Sequence, residues 1–222
     1  MSTIQGTVVR LISSCFLFAV WAGAIFSWRV EAGAASGSWR PLFNGHDLDG
    51  WQQVGPGSFQ IVGQELETSG GMGLLWYTRE KFRDVRIRVV FKLSAKNADS
   101  GVFIRIPEKP ADVWMPINKG YEIEIGDWPD DYSCTGVVYS FSKALSRPVR
   151  PFGEWNNMEI TLEGPRIIVY LNGVKVTDYR EGQTVPRESL MAVNQPRVPG
   201  KTLDISDCRI IQDRPCILKK FQ

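Results

Sequence analysis

With 222 residues and a formal net charge of +2, the chain can bury one sizeable core and is too nearly neutral to suggest a nucleic-acid-binding surface. It has four cysteines without a CxxC pair and a single histidine, which argues against a zinc site and against a disulfide-stapled miniprotein. Cys134, Cys208 and Cys216 lie beyond the N-terminal segment; Cys208 and Cys216 are the closest pair, and an odd count leaves one thiol over.

The first 10 residues hold one basic residue, 11–28 are almost continuously apolar, and Ala32-Gly33-Ala34 supplies the small residues a signal peptidase reads. The expectation is a secretory signal over 1–35 and one domain over 36–222. An uncleaved anchor is the alternative, because the apolar run approaches the roughly 18–20 residues a span needs. If the signal is cleaved, no stable membrane span remains.

Beyond residue 40 the sequence predicts strands and no helix. Residues 58–62 and 65–69 flank Gly63 as a hairpin, and 74–78 follow as a strand. In 83–94, Val85, Ile87, Val89, Phe91 and Leu93 alternate with polar residues, the period of a sheet with one buried face. Strands are next expected at 102–107, 121–126 and 136–141. Between the first two, 107–119 holds three prolines and reads as a loop long enough to overhang a site. Residues 155–163 alternate again. Segments 166–171 and 174–179 flank Asn172-Gly173, a pair that accepts the positive φ values of a type I′ turn. Strands at 190–194 and 203–211 complete the set. Many short strands without intervening helices predict an all-β sandwich or barrel.

The chemistry concentrates in Tyr121-Glu122-Ile123-Glu124-Ile125-Gly126-Asp127. Alternation places Glu122 and Glu124 on one face, and a bulge at Gly126 would bring Asp127 to the same side. Like charges so close need a cation, an arginine or a shared proton. Arg105, alternating with Phe103, would supply the arginine if the two strands are neighbours, and Phe103 would stack on a sugar ring. Trp114, Trp128, Tyr132 and Tyr139 come from adjoining segments, whereas Trp51 and Trp155 read as core. The competing reading is a solvated sheet face whose charges merely offset one another. His46 reads as an exposed loop residue and Cys134 as a buried structural thiol.

The series Leu42-Phe43-Asn44-Gly45-His46-Asp47-Leu48-Asp49-Gly50-Trp51, Asp99-Ser100-Gly101-Val102-Phe103-Ile104-Arg105, Tyr121 through Asp127, Thr135-Gly136-Val137-Val138-Tyr139, Trp155-Asn156 and Leu171-Asn172-Gly173 resembles the 3-keto-disaccharide hydrolase family over about residues 40–212. The resemblance implies a concanavalin A-like jelly roll of two curved antiparallel sheets with the site on the concave face. It also implies action on glycosides already oxidised at C3, in the periplasm or cell envelope, by elimination across C1–C2 and rehydration. Arg105 would then orient substrate or stabilise the oxyanion. Glu122 would be the acid/base, with Asp127 a catalytic partner. Glu124, Phe103, Tyr139, Trp128 and Gln195 would meet the sugar. Glu124 and Asp127 could hold a divalent cation, with oxygen ligands favouring Ca²⁺, Mg²⁺ or Mn²⁺.

The chain departs from the family pattern in carrying glutamate, not glutamine, at position 124. It also lacks the histidine after the segment containing Gln195. The resemblance implies an oligosaccharide or an oxidised glycoside as partner, the departures put the activity or its substrate in question, and three readings follow. They are a 3-keto-glycoside hydrolase, a non-catalytic lectin-like module, and a retaining glycosidase built on Glu122, Glu124 and Asp127. The last needs carboxyls roughly 5–5.5 Å apart.

Overall fold

The computed structural model describes residues 39–185 and the strands at 209–212 and 216–221. The expected signal segment, Gln195, Cys208 and the strand expected at 190–194 lie outside the described residues. In chain order the elements are β1 (Trp51–Val54), β2 (Ser58–Val62), β3 (Glu65–Ser69), β4 (Gly73–Tyr77), β5 (Val85–Leu93), β6 (Asp99–Ile104), α1 (Trp114–Lys119), β7 (Tyr121–Gly126), β8 (Trp155–Glu163), β9 (Arg166–Leu171), β10 (Val174–Arg180), β11 (Arg209–Gln212) and β12 (Cys216–Phe221).

All pairings are antiparallel and build two sheets. One is ordered β1-β4-β11-β6-β7 and the other β10-β9-β8-β5-β12-β3-β2. The expected period-two runs each give one face to the space between them. Leu75, Tyr77, Val102, Ile104, Ile123 and Ile125 from the five-stranded sheet meet Leu66, Val89, Phe91, Met158, Ile160, Val169 and Leu171 from the seven-stranded sheet in one core. Trp51 belongs to it, packed edge-on against Tyr77 at 5.0 Å. Trp155, expected in the core, is instead half-buried with the Lys92 ammonium 4.7 Å from its ring.

Turn chemistry is as the sequence predicts. Asn172 and Gly173 both take positive φ, 50° and 82°, between β9 and β10, and Gly63 takes 65° between β2 and β3. Two strands and the helix were not expected. β1 is four residues with two glutamines, too short for alternation to show. β12 shifts register between Leu218 and Lys220, which breaks the period of two. α1 is six residues long, less than two turns, and has no independent sequence signal. It forms because Asp112 Oδ1 accepts the backbone N–H groups of Trp114 and Met115, both at 2.9 Å, and because its apolar side packs on the sheet. Residues 136–141 form a turn-rich run, not a full strand. It still edges β7 through an Ile123–Val138 bridge.

Candidate active site

The outer face of the five-stranded sheet carries the site. Between β6 and β7, Phe103 pairs with Glu122, Gly101 with Glu124 and Asp99 with Gly126. Directly opposed residues share a face. Glu122 and Glu124 therefore stand together as expected, and the third carboxyl is Asp99, which sequence reasoning passed over. Only the register shows it: Asp99 lies two positions before Gly101, which sits opposite Glu124.

The edge of β7 is closed by the run from Thr135 to Tyr139. The Glu122 carbonyl accepts the Tyr139 N–H at 2.9 Å, and the Glu124 carbonyl accepts that of Gly136 at 2.8 Å. Tyr139 is half-buried, and burial together with Glu124, Glu122 and Asp99 raises its phenol above the usual range. Trp128, on the loop after β7, makes a side-chain hydrogen bond to Glu124. Arg147 fixes that loop by donating to the carbonyls of Trp128 at 3.0 Å and Pro129 at 2.7 Å and to Asp131 at 2.7 Å.

Glu124 is 2% exposed. Burial first, then the charges of Glu122 and Asp99, push its carboxyl well above the ordinary glutamate range, and a side-chain hydrogen bond with Asp99 acts in the same direction. Its Oε1 has no hydrogen-bond partner among the described residues.

Several expected site residues lie elsewhere. Phe103 is on the expected face but only 1% exposed. Together with Leu74, Trp76 and Ile106 it forms a second apolar cluster capped by Val113, Met115 and Ile117, so the segment expected to overhang the site covers it and removes it from sugar stacking. Trp114, on that cap, is 57% exposed.

Arg105 does not face the acids. It adopts φ 56°, which breaks the strand alternation and sends Ile106 to the outer cluster. Its buried guanidinium donates to the carbonyls of Gly164 and, at 3.2 Å, Arg166, and pairs with Glu181 at 2.7 Å. Arg105 is thus a clamp between the end of β6 and the β8–β10 end of the other sheet. Arg105→Met should lower stability by about 3 kcal/mol, because the Gly164 and Arg166 carbonyls and the Glu181 carboxylate lose their partner. Denaturant unfolding measures this; an unchanged midpoint would argue against the clamp.

Asp127 stays out of the row. The β6–β7 register runs through Gly126 without a bulge, and Asp127 is exposed beyond it. Glu124 and Asp127 are therefore not brought together as ion ligands. Among the described residues no three His, Cys, Asp or Glu side chains are grouped to hold a metal. A buried Glu124 that resists ionisation is also a poor fit to a cation ligand, which must be deprotonated. His46 is exposed, and Cys134 is a buried free thiol whose pKa burial raises.

Gly101 makes room for Glu122. A Cβ at 101 would lie 2.6 Å from Glu122 Cγ and 2.8 Å from Cδ. Gly101→Ala must therefore displace the Glu122 side chain. We expect at least a tenfold loss of kcat/KM on the substrate proposed below, with a stability change of about 1 kcal/mol or less, since this glycine is not at positive φ. Kinetics paired with a melting curve checks it.

The model of the 3-keto-alpha-glucoside-1,2-lyase-like domain matches residues 38–200. The chain belongs to this family. Comparison with the curated proteins gives no match. Among solved structures, two glycosyl hydrolase candidates from Parabacteroides distasonis are similar. One has 21% identity, covering 81% of this chain and 88% of that one, with a TM-score of 0.66. The other has 22% identity, covering 84% and 99%, with a TM-score of 0.62. A protein of unknown function with a galectin-like fold from Bacillus subtilis has 12% identity over 83% of this chain and 93% of that one, with a TM-score of 0.56. At these identities the likeness establishes the jelly-roll-like fold. The family match establishes a carbohydrate-related role. Among the described residues no helix is long and apolar enough to cross a membrane.

Proposed function

We propose that the protein is an exported enzyme that cleaves 3-keto-glycosides by elimination across C1–C2 and rehydration. The observation that carries this reading is the row Asp99, Glu122 and Glu124, bordered by Tyr139 and Trp128, in a member of this family. A ketone at C3 acidifies the C2 proton. Glu122, half-buried and seated over Gly101, is the base that removes it. The enolate expels the C1 substituent, and water adds back across the double bond. Tyr139, whose phenol is held protonated, is the donor suited to the enolate oxygen. Trp128 and Tyr139 offer ring surface to the sugar. The N-terminal segment supports delivery to the periplasm or envelope.

The purified mature chain, incubated with a 3-keto-glucoside with and without EDTA and added divalent metal, should release the aglycone and pass through an enolic intermediate. Loss of turnover in EDTA would reopen the question of a cation. A second reading, a non-catalytic sugar-binding module, draws support from Arg105, which is tied to Glu181 and so leaves the acids without the expected cation. Sugar binding measured by calorimetry, with no turnover, would favour it.

A further inference from the structure

The elimination needs a second proton-transfer group, because the departing C1 oxygen must be protonated as the C2 proton leaves. Glu122 cannot serve both ends at once. Asp99, opposite Gly126, and Glu124, opposite Gly101, are diagonal neighbours on one face of β6 and β7, with their side chains in hydrogen-bonding reach. Two carboxylates have no donor between them and repel at that range, whereas one proton between them supplies the donor. We propose that Asp99 and Glu124 hold a single proton between them and form this second group, with Asp99 the catalytic acid and Glu124 its positioning partner. The assignment rests on the function proposed above and extends it to a residue not expected from the sequence.

Three features of the geometry support it. Glu124 is enclosed, with one oxygen lacking any described partner, a setting in which an anion is strongly disfavoured and a neutral carboxyl is tolerated. Asp99 is half-buried, so it is the member of the pair open to a substrate. The seat of the pair is built by a missing side chain. A Cβ on Gly126 would lie 2.8 Å from Glu124 Oε1 and 2.5 Å from Trp128 Nε1, so only glycine lets the indole close over the carboxyl. The titratable groups acting on Glu124 are Glu122 on its own strand and Asp99 on β6; Tyr139, on the adjoining run, is itself shifted by all three acids. Each carboxylate favours keeping the shared proton in place.

The step balances. The Glu122 carboxylate takes the C2 proton, the C1–oxygen bond breaks, and the shared proton passes along the Glu124–Asp99 bond and from Asp99 to the leaving oxygen. In hydration the hydroxyl of water bonds to C1, its other proton returns to the pair, and Glu122 gives its proton back to C2. The products are the free 3-keto sugar and the released alcohol.

The test compares a 4-nitrophenyl with an alkyl 3-keto-glucoside, since a nitrophenolate leaves without an acid and an alkoxide does not. Asp99→Asn should lose about 10²–10³-fold in kcat/KM on the alkyl glycoside and less than about tenfold on the nitrophenyl one. Glu124→Gln, which retains a donor but stores no transferable proton, should shift the pH profile on the alkyl glycoside. Infrared spectra of the whole chain at neutral pH should show a protonated-carboxyl band that shifts in D₂O and is absent from Glu124→Gln. Equal losses on both leaving groups would overturn the acid role, and absence of the band would overturn the shared proton. If the wild type cleaves neither glycoside, the acid role falls with the proposed function, while the band still decides whether the pair shares a proton.

Discussion

Glu122→Gln lowers kcat/KM on a 3-keto-glucoside by about 10²–10⁴-fold, the range expected when a positioned general base is removed, while the protein keeps its fold. The variant tests chemistry cleanly because the amide is isosteric with the carboxylate and fits the same gap over Gly101. It also removes one of two charges that bear on Glu124, so the melting temperature should hold or rise. Circular dichroism melts beside steady-state kinetics read both parts. Turnover equal to wild type would remove Glu122 from the mechanism and leave Asp99 as the remaining candidate base. Loss of the fold would instead mark Glu122 as a packing residue.

Stability should fall as pH rises from the mildly acid range toward neutrality and above. In the unfolded chain Glu124 ionises near its ordinary value of 4.5; in the native state it keeps its proton to a much higher pH. Between those values the folded form binds more protons than the unfolded form, so the free energy of unfolding decreases with pH, by up to about 1.4 kcal/mol per pH unit for one group. Glu124→Gln cannot ionise and should flatten that limb, making the variant more stable than wild type at neutral pH. On the acid side the sign reverses. Asp178, held to about 2 by its bonds with Arg166 and then Lys175, stabilises the fold above its unfolded value of 3.8, and that contribution disappears as pH falls through about 2. Denaturant titrations of wild type and variant from about pH 2 to pH 9 measure both limbs. A limb that is the same in the two proteins would show that Glu124 ionises normally.

The sheets were legible because their signals are local. Alternation marked β5 and β8, Asn172-Gly173 marked the hairpin, and period two correctly put Glu122 and Glu124 on one face. What alternation could not carry was a change of backbone state within a strand. Arg105 reads as the next outward residue after Phe103, yet its positive φ turns the chain over, and no residue type there announces it. Phe103 was placed on the right face, but whether that face was open depended on α1, a helix held by one Asp112 side chain and by tertiary packing. Asp99 was hidden because only cross-strand register brings it to Glu124. The glutamate at 124, which reads in the sequence as an added negative charge, becomes once neutral a group that both donates and accepts, as a glutamine amide does.

The placement of β11 and β12 has a consequence for how the protein can be made. β11 lies between β4 and β6, and β12 between β5 and β3, so each sheet is bridged in its interior by residues near the C-terminal end of the sequence. Until those residues are available, each sheet exists only as two halves with unpaired inner edges, and closing them requires contacts of long sequence separation that form slowly. An emerging chain would therefore stay open through most of its synthesis. Folding would be completed only after the last strands had been made.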